Sequence, residues 1–550
     1  MPISDSSIPS TRGWFRIPEE FRTRWHPFEG GAAFALTIAA CGIIYLPSLF
    51  WALGLDQNIF AEIGSLLLSG KKPYLDMWDV KPPNIYYINA LFEWLFGPHD
   101  ITVRIADYLF SLASCSVLFL LVKRHLTSFS TSAVAIRLAP PVASLLLSLT
   151  FLSLGLADTA QTESFAIFFL LLAAALIVGK SYRPSALLFA GAAIGIATFF
   201  KTTNAIFLAP IVIELLIANR KHSIRPIATL LTGWTAWCAL QLAVLALEGS
   251  LSEYLRITSS VFQHHPGEVS TLTISGLFRS VWTLADLWCL LSIIAIVCSL
   301  IKRDLLFLRT LRLPLFYLLA GMLAVYLQNK GWGYHYVIVL PGLLWLCAIS
   351  ATYLFHMVSS GSSSPRVRSV ALPLVGLLAL STILITPSAR RRQHHIRDAY
   401  LSLKSHQSYL QSLGALQSLY YPAATEQLAA YLRSNTGHED RIFILGEEPG
   451  AYWKADRQPA SHFIYALLFT SGVISNDELT AMNDTLVKSK PKLIIVERFD
   501  TTWFRRRPET SESLLQSDSL FSPLRNLLHT DYRIADTIGG KFIAYRRLGS

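Results

Sequence analysis

The sequence predicts a polytopic α-helical membrane protein with a separate α/β domain outside the membrane. Composition, the row of apolar segments and the side on which basic residues fall carry that prediction. Hydrophobic residues make up 52% of the 550 and charged residues only 15%, with a mean hydropathy of +0.43. A soluble chain of this length has too little interior for so much apolar surface.

Runs of about 20 apolar residues, with shorter ones admitted where their flanks are charged, fall near residues 32–54, 103–122, 138–156, 164–179, 186–200, 205–218, 226–247, 281–301, 313–327, 337–357 and 369–386. About eleven transmembrane helices follow. The first lies behind an Arg-bearing tail without a small-residue cleavage site, and is read as retained. Basic residues resist translocation, so the connections carrying Arg12 to Arg24, Lys123 to Arg137, Lys180 and Arg183, Arg220 to Arg225, Lys302 to Arg312, and Arg366 and Arg368 are cytoplasmic. Residues 55–102, 157–163, 201–204, 248–280 and 328–336 are then extracytoplasmic, as is everything after 387. The net charge of +11 is largely this topology signal and gives no argument for nucleic acid.

The expected organisation is a cytoplasmic tail over 1–30, a transmembrane catalytic domain over 31–387 and an extracytoplasmic α/β domain over 388–550. In the last part residues 407–435 read as helical, "RIFILGEE" and "KLIIVER" as buried strands, and Asp477–Lys488 as the helix between them. All six cysteines fall inside expected spans, so the outer domain has neither a disulfide framework nor a Cys-based metal site. The run Arg390, Arg391 and Arg392 lies close to the membrane surface, where it meets lipid headgroups or simply anchors the chain.

Polar residues gather on the extracytoplasmic side. Asp56 ends the first span and precedes "QNIFAEIGSLLLSG", whose apolar residues recur at helical spacing and read as an interfacial helix closed by Gly70. Asp56 is therefore either an N-cap or a chemical group. The loop "YLDMWDVKPPN" places Lys81 before two stiff prolines, with Asp76 and Asp79 beside it; Asp-x-x-Asp alone is a weak metal signal. "NIYYINALFEWLFG" reads as a second interfacial helix. Arg104, Asp158, Glu163 and Lys201 enter from the same side, and "VFQHHPGEVS" and "QNKGWGYHY" add His264, His265, Tyr334 and His335. One such residue is ordinarily a snorkelling side chain, whereas charges in successive loops on one face argue for a shared polar cavity. Adjacent histidines point apart on most backbones, so His264–His265 is a poor metal site, and no metal ligand set or cofactor is expected.

The pattern Gly70 to Pro83, "GKKPYLDMWDVKPP", with the Asp after the first span, Arg104, Gly195 to Lys201 and an aromatic-His motif late in the bundle, resembles the GT-C glycosyltransferases. It is most similar to the protein O-mannosyltransferases and the bacterial aminoarabinose and related lipid-linked sugar transferases. The resemblance covers roughly residues 30–350 and implies inverting transfer of a monosaccharide from a polyprenyl-phosphate donor to a hydroxyl on a lipid, glycan or protein. It implies Asp56 as catalytic aspartate, Lys81 as phosphate-contacting lysine with Lys201 or Arg104 beside it, and Asp158 as the second acidic position. Asp79, Glu163, His264, His265, Tyr334 and His335 are further candidates. The second acidic loop reads "ADTAQTE" without the familiar Asp-Glu pair, so Asp158 and Glu163 both stay open for that place. A bacterial inner membrane, with a cytoplasmic N-terminus and a periplasmic C-terminal domain, is the expected location. A flippase of lipid-linked sugars would also gather membrane charge, but no repeated halves are visible; a polysaccharide ligase or polymerase would carry arginine-rich outer loops.

Overall fold

A computed structural model describes residues 27–129, 133–179, 182–218, 223–264, 272–285, 287–329, 331–359, 386–414, 420–466, 474–498 and 510–549. The membrane part runs α1 (Pro27–Tyr45), α2 (Leu55–Leu68), α3 (Asn84–Phe96), α4 (Asp100–Ser128), α5 (Ala133–Leu154), α6 (Thr162–Ile177), α7 (Pro184–Thr198), α8 (Leu208–Ala218), α9 (Ile224–Leu247), α10 (Leu251–His264), α11 (Ile274–Ala285), α12 (Leu287–Ile301), α13 (Leu305–Gln328) and α14 (Leu340–Ser359). Short 3₁₀ turns precede α8 and α14 and follow α1.

Six helical segments are long and apolar enough to cross a membrane, or seven if α11 and α12, bent by 102°, make one span. Three shorter apolar helices join them, and together they occupy each of the first ten expected spans. The eleventh, 369–386, lies outside the described residues apart from Thr386. Lipid-facing positions stay apolar and exposed, as at Leu36, Ile43, Leu120 and Leu240.

The two expected interfacial helices behave differently. α3 leaves Leu91, Trp94, Leu95 and Phe96 exposed at one end, the pattern of a helix whose apolar face meets lipid. α2 is buried almost throughout, from Leu55 and Gln57 to Gly64 and Leu66. The C-terminal domain covers it, which replaces the expectation of a helix lying free in the interface.

That domain consists of α15 (Pro387–Lys404), α16 (His406–Leu413), α17 (Pro422–Asn435), β1 (Ile442–Leu445), α18 (Pro449–Ala455), α19 (Asn476–Ser489), β2 (Leu493–Glu497), α20 (Ser511–Ser517), α21 (Ser522–Asp531), β3 (Tyr532–Ile538) and β4 (Phe542–Arg547). The two expected strands pair in parallel, Ile442 opposite Leu493, and an antiparallel hairpin completes the order β1-β2-β4-β3. β1 and β2 are buried along their whole length, which is why they read as continuous apolar runs.

The domain docks on the membrane part through specific polar contacts. Lys454 of α18 pairs with Asp100 at the start of α4 and with Glu426 at 2.8 Å. The Trp78 N–H donates to the His462 carbonyl at 2.8 Å, and the Asn58 amide to the Tyr420 hydroxyl at 2.8 Å. The outer domain thereby roofs the loops where the sequence concentrates its charge.

Candidate active site

Gly54, extended at φ −87°, is the N-cap of α2, and its N–H donates to the Gln57 side chain at 3.0 Å. Asp56 therefore stands in the first turn rather than at the cap, which corrects the capping alternative. A carboxylate there still benefits from the positive end of the helix. The Gln57 amide reaches the other way, donating to the carbonyls of Leu156, Ala157 and Thr159 at 3.1, 3.3 and 2.7 Å. One residue beside Asp56 thus ties its helix to the loop that carries Asp158.

α4 fixes the same loop from beneath. The Arg104 guanidinium, wholly buried, donates to the carbonyls of Ala52 and Leu156 and to the Thr159 hydroxyl at 3.2 Å. One turn on, Asp107 accepts from the Tyr45 hydroxyl at 2.7 Å and the Ala160 N–H at 2.9 Å. That bond helps hold Ala160 at φ +53°, a left-handed conformation that costs a residue with a Cβ about 1–2 kcal/mol. Arg104 was expected on the donor phosphate. Its donors face backbone carbonyls instead, so it is a positioning residue.

The "YLDMWDVKPP" loop owes its shape to tyrosines. Tyr74 sits at φ +67°, and its hydroxyl donates to the Lys81 carbonyl at 2.8 Å; Tyr86 reaches the same carbonyl at 3.2 Å. Asp79 is buried and accepts from the hydroxyls of Tyr86 and of Tyr465 in the roof, both at 2.5 Å. Burial pushes its carboxyl up, while those donors and the Lys81 charge pull the other way. Asp79 thus ties the loop to the outer domain. Asp76 is exposed and accepts the Lys72 N–H at 2.8 Å. Among the described residues no carboxylate lies within ion-pair distance of the Lys81 ammonium, which is only partly buried.

Tyr334 is the hub. Its hydroxyl lies beside the Asp56 carboxylate, and its ring carries the Lys81 ammonium 5.5 Å and the Lys201 ammonium 5.6 Å from its centroid, within cation–π range. Its backbone N–H lies near the Asp158 carboxylate. The preceding residue is Gly333, where any Cβ would overlap the Asp158 carboxylate, so glycine is required for this close approach. His335 is buried and meets the Tyr334 ring edge to face at 4.5 Å, supporting it from behind.

The two acidic candidates separate clearly. Glu163 is fully buried, pairs with Lys201 and accepts from the Thr162 hydroxyl at 2.6 Å. Among the described residues no cation contacts Asp158; burial first, then the charges of Asp56 and Glu163, raise it to about 6 against the Tyr334 N–H and the Arg391 charge. Burial likewise lowers Lys201 to about 8, opposed by Glu163 and helped by Lys81. Asp56, Lys81, Asp158, Glu163, Lys201 and Tyr334 therefore come together at one end of the bundle. His264 ends α10, and its side chain and the whole of His265 lie outside the described residues. Gln57, Asp107, Gly333 and Tyr465 went unread; only the glycine beside an aromatic pair in "GWGYHY" gave a local hint.

Bundle, outer domain and this polar mouth define a multi-pass membrane protein with the GT-C fold. A sequence model of the dolichyl-phosphate-mannose-protein mannosyltransferases matches residues 80–245. No curated protein matches the chain by sequence. Among solved structures, ArnT from Cupriavidus metallidurans bound to undecaprenyl phosphate is 12% identical, with a TM-score of 0.52 over 94% of this chain and 98% of that one. The Archaeoglobus fulgidus oligosaccharyltransferase AglB, with an inhibitory peptide and dolichol-phosphate, is 12% identical with a TM-score of 0.52, over 84% of this chain and 69% of that one. The chain thus shares the fold of these two solved structures, and its residues 80–245 resemble the mannosyltransferase model.

Proposed function

We propose that this protein transfers a monosaccharide from a polyprenyl-phosphate donor to an acceptor hydroxyl, with inversion, at the extracytoplasmic face of a bacterial inner membrane. The observation that carries the proposal is the pairing, across the Tyr334 ring, of a carboxylate with two ammonium groups at the mouth of an apolar bundle. A polyprenyl tail stays in lipid while its phosphosugar enters the mouth.

Asp56, oriented by the Tyr334 hydroxyl, takes the proton of the acceptor hydroxyl as the new C1–O bond forms, on the face opposite the departing phosphate. Lys81 and Lys201 stabilise the charge that grows on that phosphate. Asp158, ionised above about pH 6, faces the positive charge developing at the anomeric carbon. Glu163 holds Lys201 in place between turnovers. The chemistry needs no metal at this site. Basic loops on the opposite side of the bundle support a cytoplasmic N-terminus, and the acceptor is a lipid, glycan or protein hydroxyl.

Purified protein incubated with radiolabelled polyprenyl-phosphate sugar and an acceptor fraction should release polyprenyl phosphate and give a product of inverted anomeric configuration. A donor that passes across a proteoliposome membrane intact, with no turnover, would replace this reading with transport.

A further inference from the structure

We infer that α15 carries a zinc-class metal site, built from His394, His395 and Asp398, beside the loop that carries Asp158. The site lies outside the catalytic cluster and does not rest on the proposed transfer reaction. One ligand atom from each residue lies within 4.8 Å of the other two. The Nδ1 atoms of His394 and His395 stand 3.0 and 3.6 Å from the same Asp398 oxygen. Ligands about 2.0–2.1 Å from a tetrahedral zinc are separated by roughly 3.3 Å, between those two distances.

A second observation points the same way. The His395 Nδ1 is buried and makes no hydrogen bond, an arrangement that ordinarily costs the desolvation of that atom. A metal bound there would remove that cost. Spacing explains the convergence: His394 with Asp398 is an i,i+4 pair and His395 with Asp398 an i,i+3 pair, so one carboxylate faces both rings. His394 is 64% exposed, which leaves room for water as a fourth ligand.

The neighbouring arginines Arg390, Arg391, Arg392 and Arg397 oppose a cation electrostatically. Hard ions such as Mg²⁺ and Ca²⁺, which depend on carboxylate charge, are therefore disfavoured, and a borderline ion with affinity for neutral imidazole is selected. The position gives the site a purpose. The His395 ring fills the space beside Gly155, which has φ +76° and no room for a Cβ, and the His395 carbonyl accepts the Trp51 indole N–H at 3.0 Å. Gly155 opens the loop that carries Asp158 and Thr159, and a metal on His395 would fix the orientation of the ring packed against it.

The test uses the full-length protein in detergent, loaded with zinc, desalted and analysed by elemental mass spectrometry. About one zinc per chain is expected, together with a higher thermal midpoint in zinc than in EDTA. His395→Gln and Asp398→Asn should each lose both effects, while His406→Gln, an exposed histidine outside the cluster, keeps them. Wild-type protein that retains no zinc, or variants that retain as much, would overturn the site. Cobalt loading of the wild type serves if the variants fail to fold: intense tetrahedral absorption bands support the site, and a weak octahedral spectrum counts against it.

Discussion

Two of the buried charge clusters among the described residues are arranged in opposite ways. In the outer domain Lys541 lies between Glu448 and Glu497 at 2.8 and 2.7 Å, with both carboxylates fully buried and the Thr425 hydroxyl donating to Glu448 at 2.5 Å. At the mouth of the bundle, among the described residues, Lys81 meets no carboxylate and Asp158 no cation, and Asp56 lies beside the Tyr334 hydroxyl. The first cluster pairs its ammonium with two carboxylates and joins the ends of β1 and β2 to the loop before β4. The second leaves its capacity for a charged partner unused. Burying charge is costly in both, and only at the mouth can a substrate relieve it.

The largest expected effect tests that contrast at Asp56. Asn keeps the size of the side chain and the cap at Gly54 is untouched, so α2 should fold normally in Asp56→Asn. An amide cannot take the acceptor's proton, and turnover should fall roughly 10²–10⁴-fold with donor affinity retained. Near-normal turnover in folded, monodisperse protein would remove Asp56 from the mechanism.

Lys541→Met should do the reverse. Removing one member of a buried ionic group costs about 3–5 kcal/mol because the remaining charges lose their partner. Denaturant or thermal unfolding should show that loss, while turnover per folded molecule stays unchanged. A loss of turnover without a loss of stability would mean that the outer cluster also serves the reaction.

Lys81→Ala should weaken donor binding by roughly tenfold to a few hundredfold, the worth of one charge-assisted hydrogen bond. Lys81→Arg should recover only part, because a planar guanidinium does not reproduce a compact ammonium. Equal donor affinity in wild type and Lys81→Ala would sink the phosphate-contact role.

What the sequence allowed one to read follows the same division. Asp56 and Lys81 were legible because loop motifs and membrane side put them together, and β1 and β2 because burial on both faces leaves an unbroken apolar run. The assignment of Arg104 failed because position near a membrane edge says nothing about which way a long side chain turns. The different surroundings of Asp158 and Glu163 were not legible, because the Lys201 contact that sets Glu163 apart is made 38 residues away. The β3–β4 hairpin was missed although "GG" at Gly539–Gly540, with φ of +57° and +70°, signals a tight turn. β3 is exposed along five of its seven residues and shows no alternation to read.

The smallest expected effect, and the finest test of the contrast, is the pH profile. Asp158 ionises near 6 and Lys201 deprotonates near 8, so turnover should rise as pH climbs through about 6, and donor affinity should fall above about 8. Stability moves in the opposite sense on the acid side. The folded protein holds the Asp158 proton more tightly than the unfolded chain does, so this group's contribution is present below its ordinary value of 3.8 and is lost as pH rises to about 6. Asp158→Asn cannot titrate: it should erase the acidic limb of turnover, on the order of tenfold per pH unit in the wild type, and the matching slope in stability. The basic limb of donor binding should remain. An acidic limb that persists in folded Asp158→Asn would assign the titration to another group, whereas its loss together with the basic limb would show that the two charges act through Tyr334 as one unit.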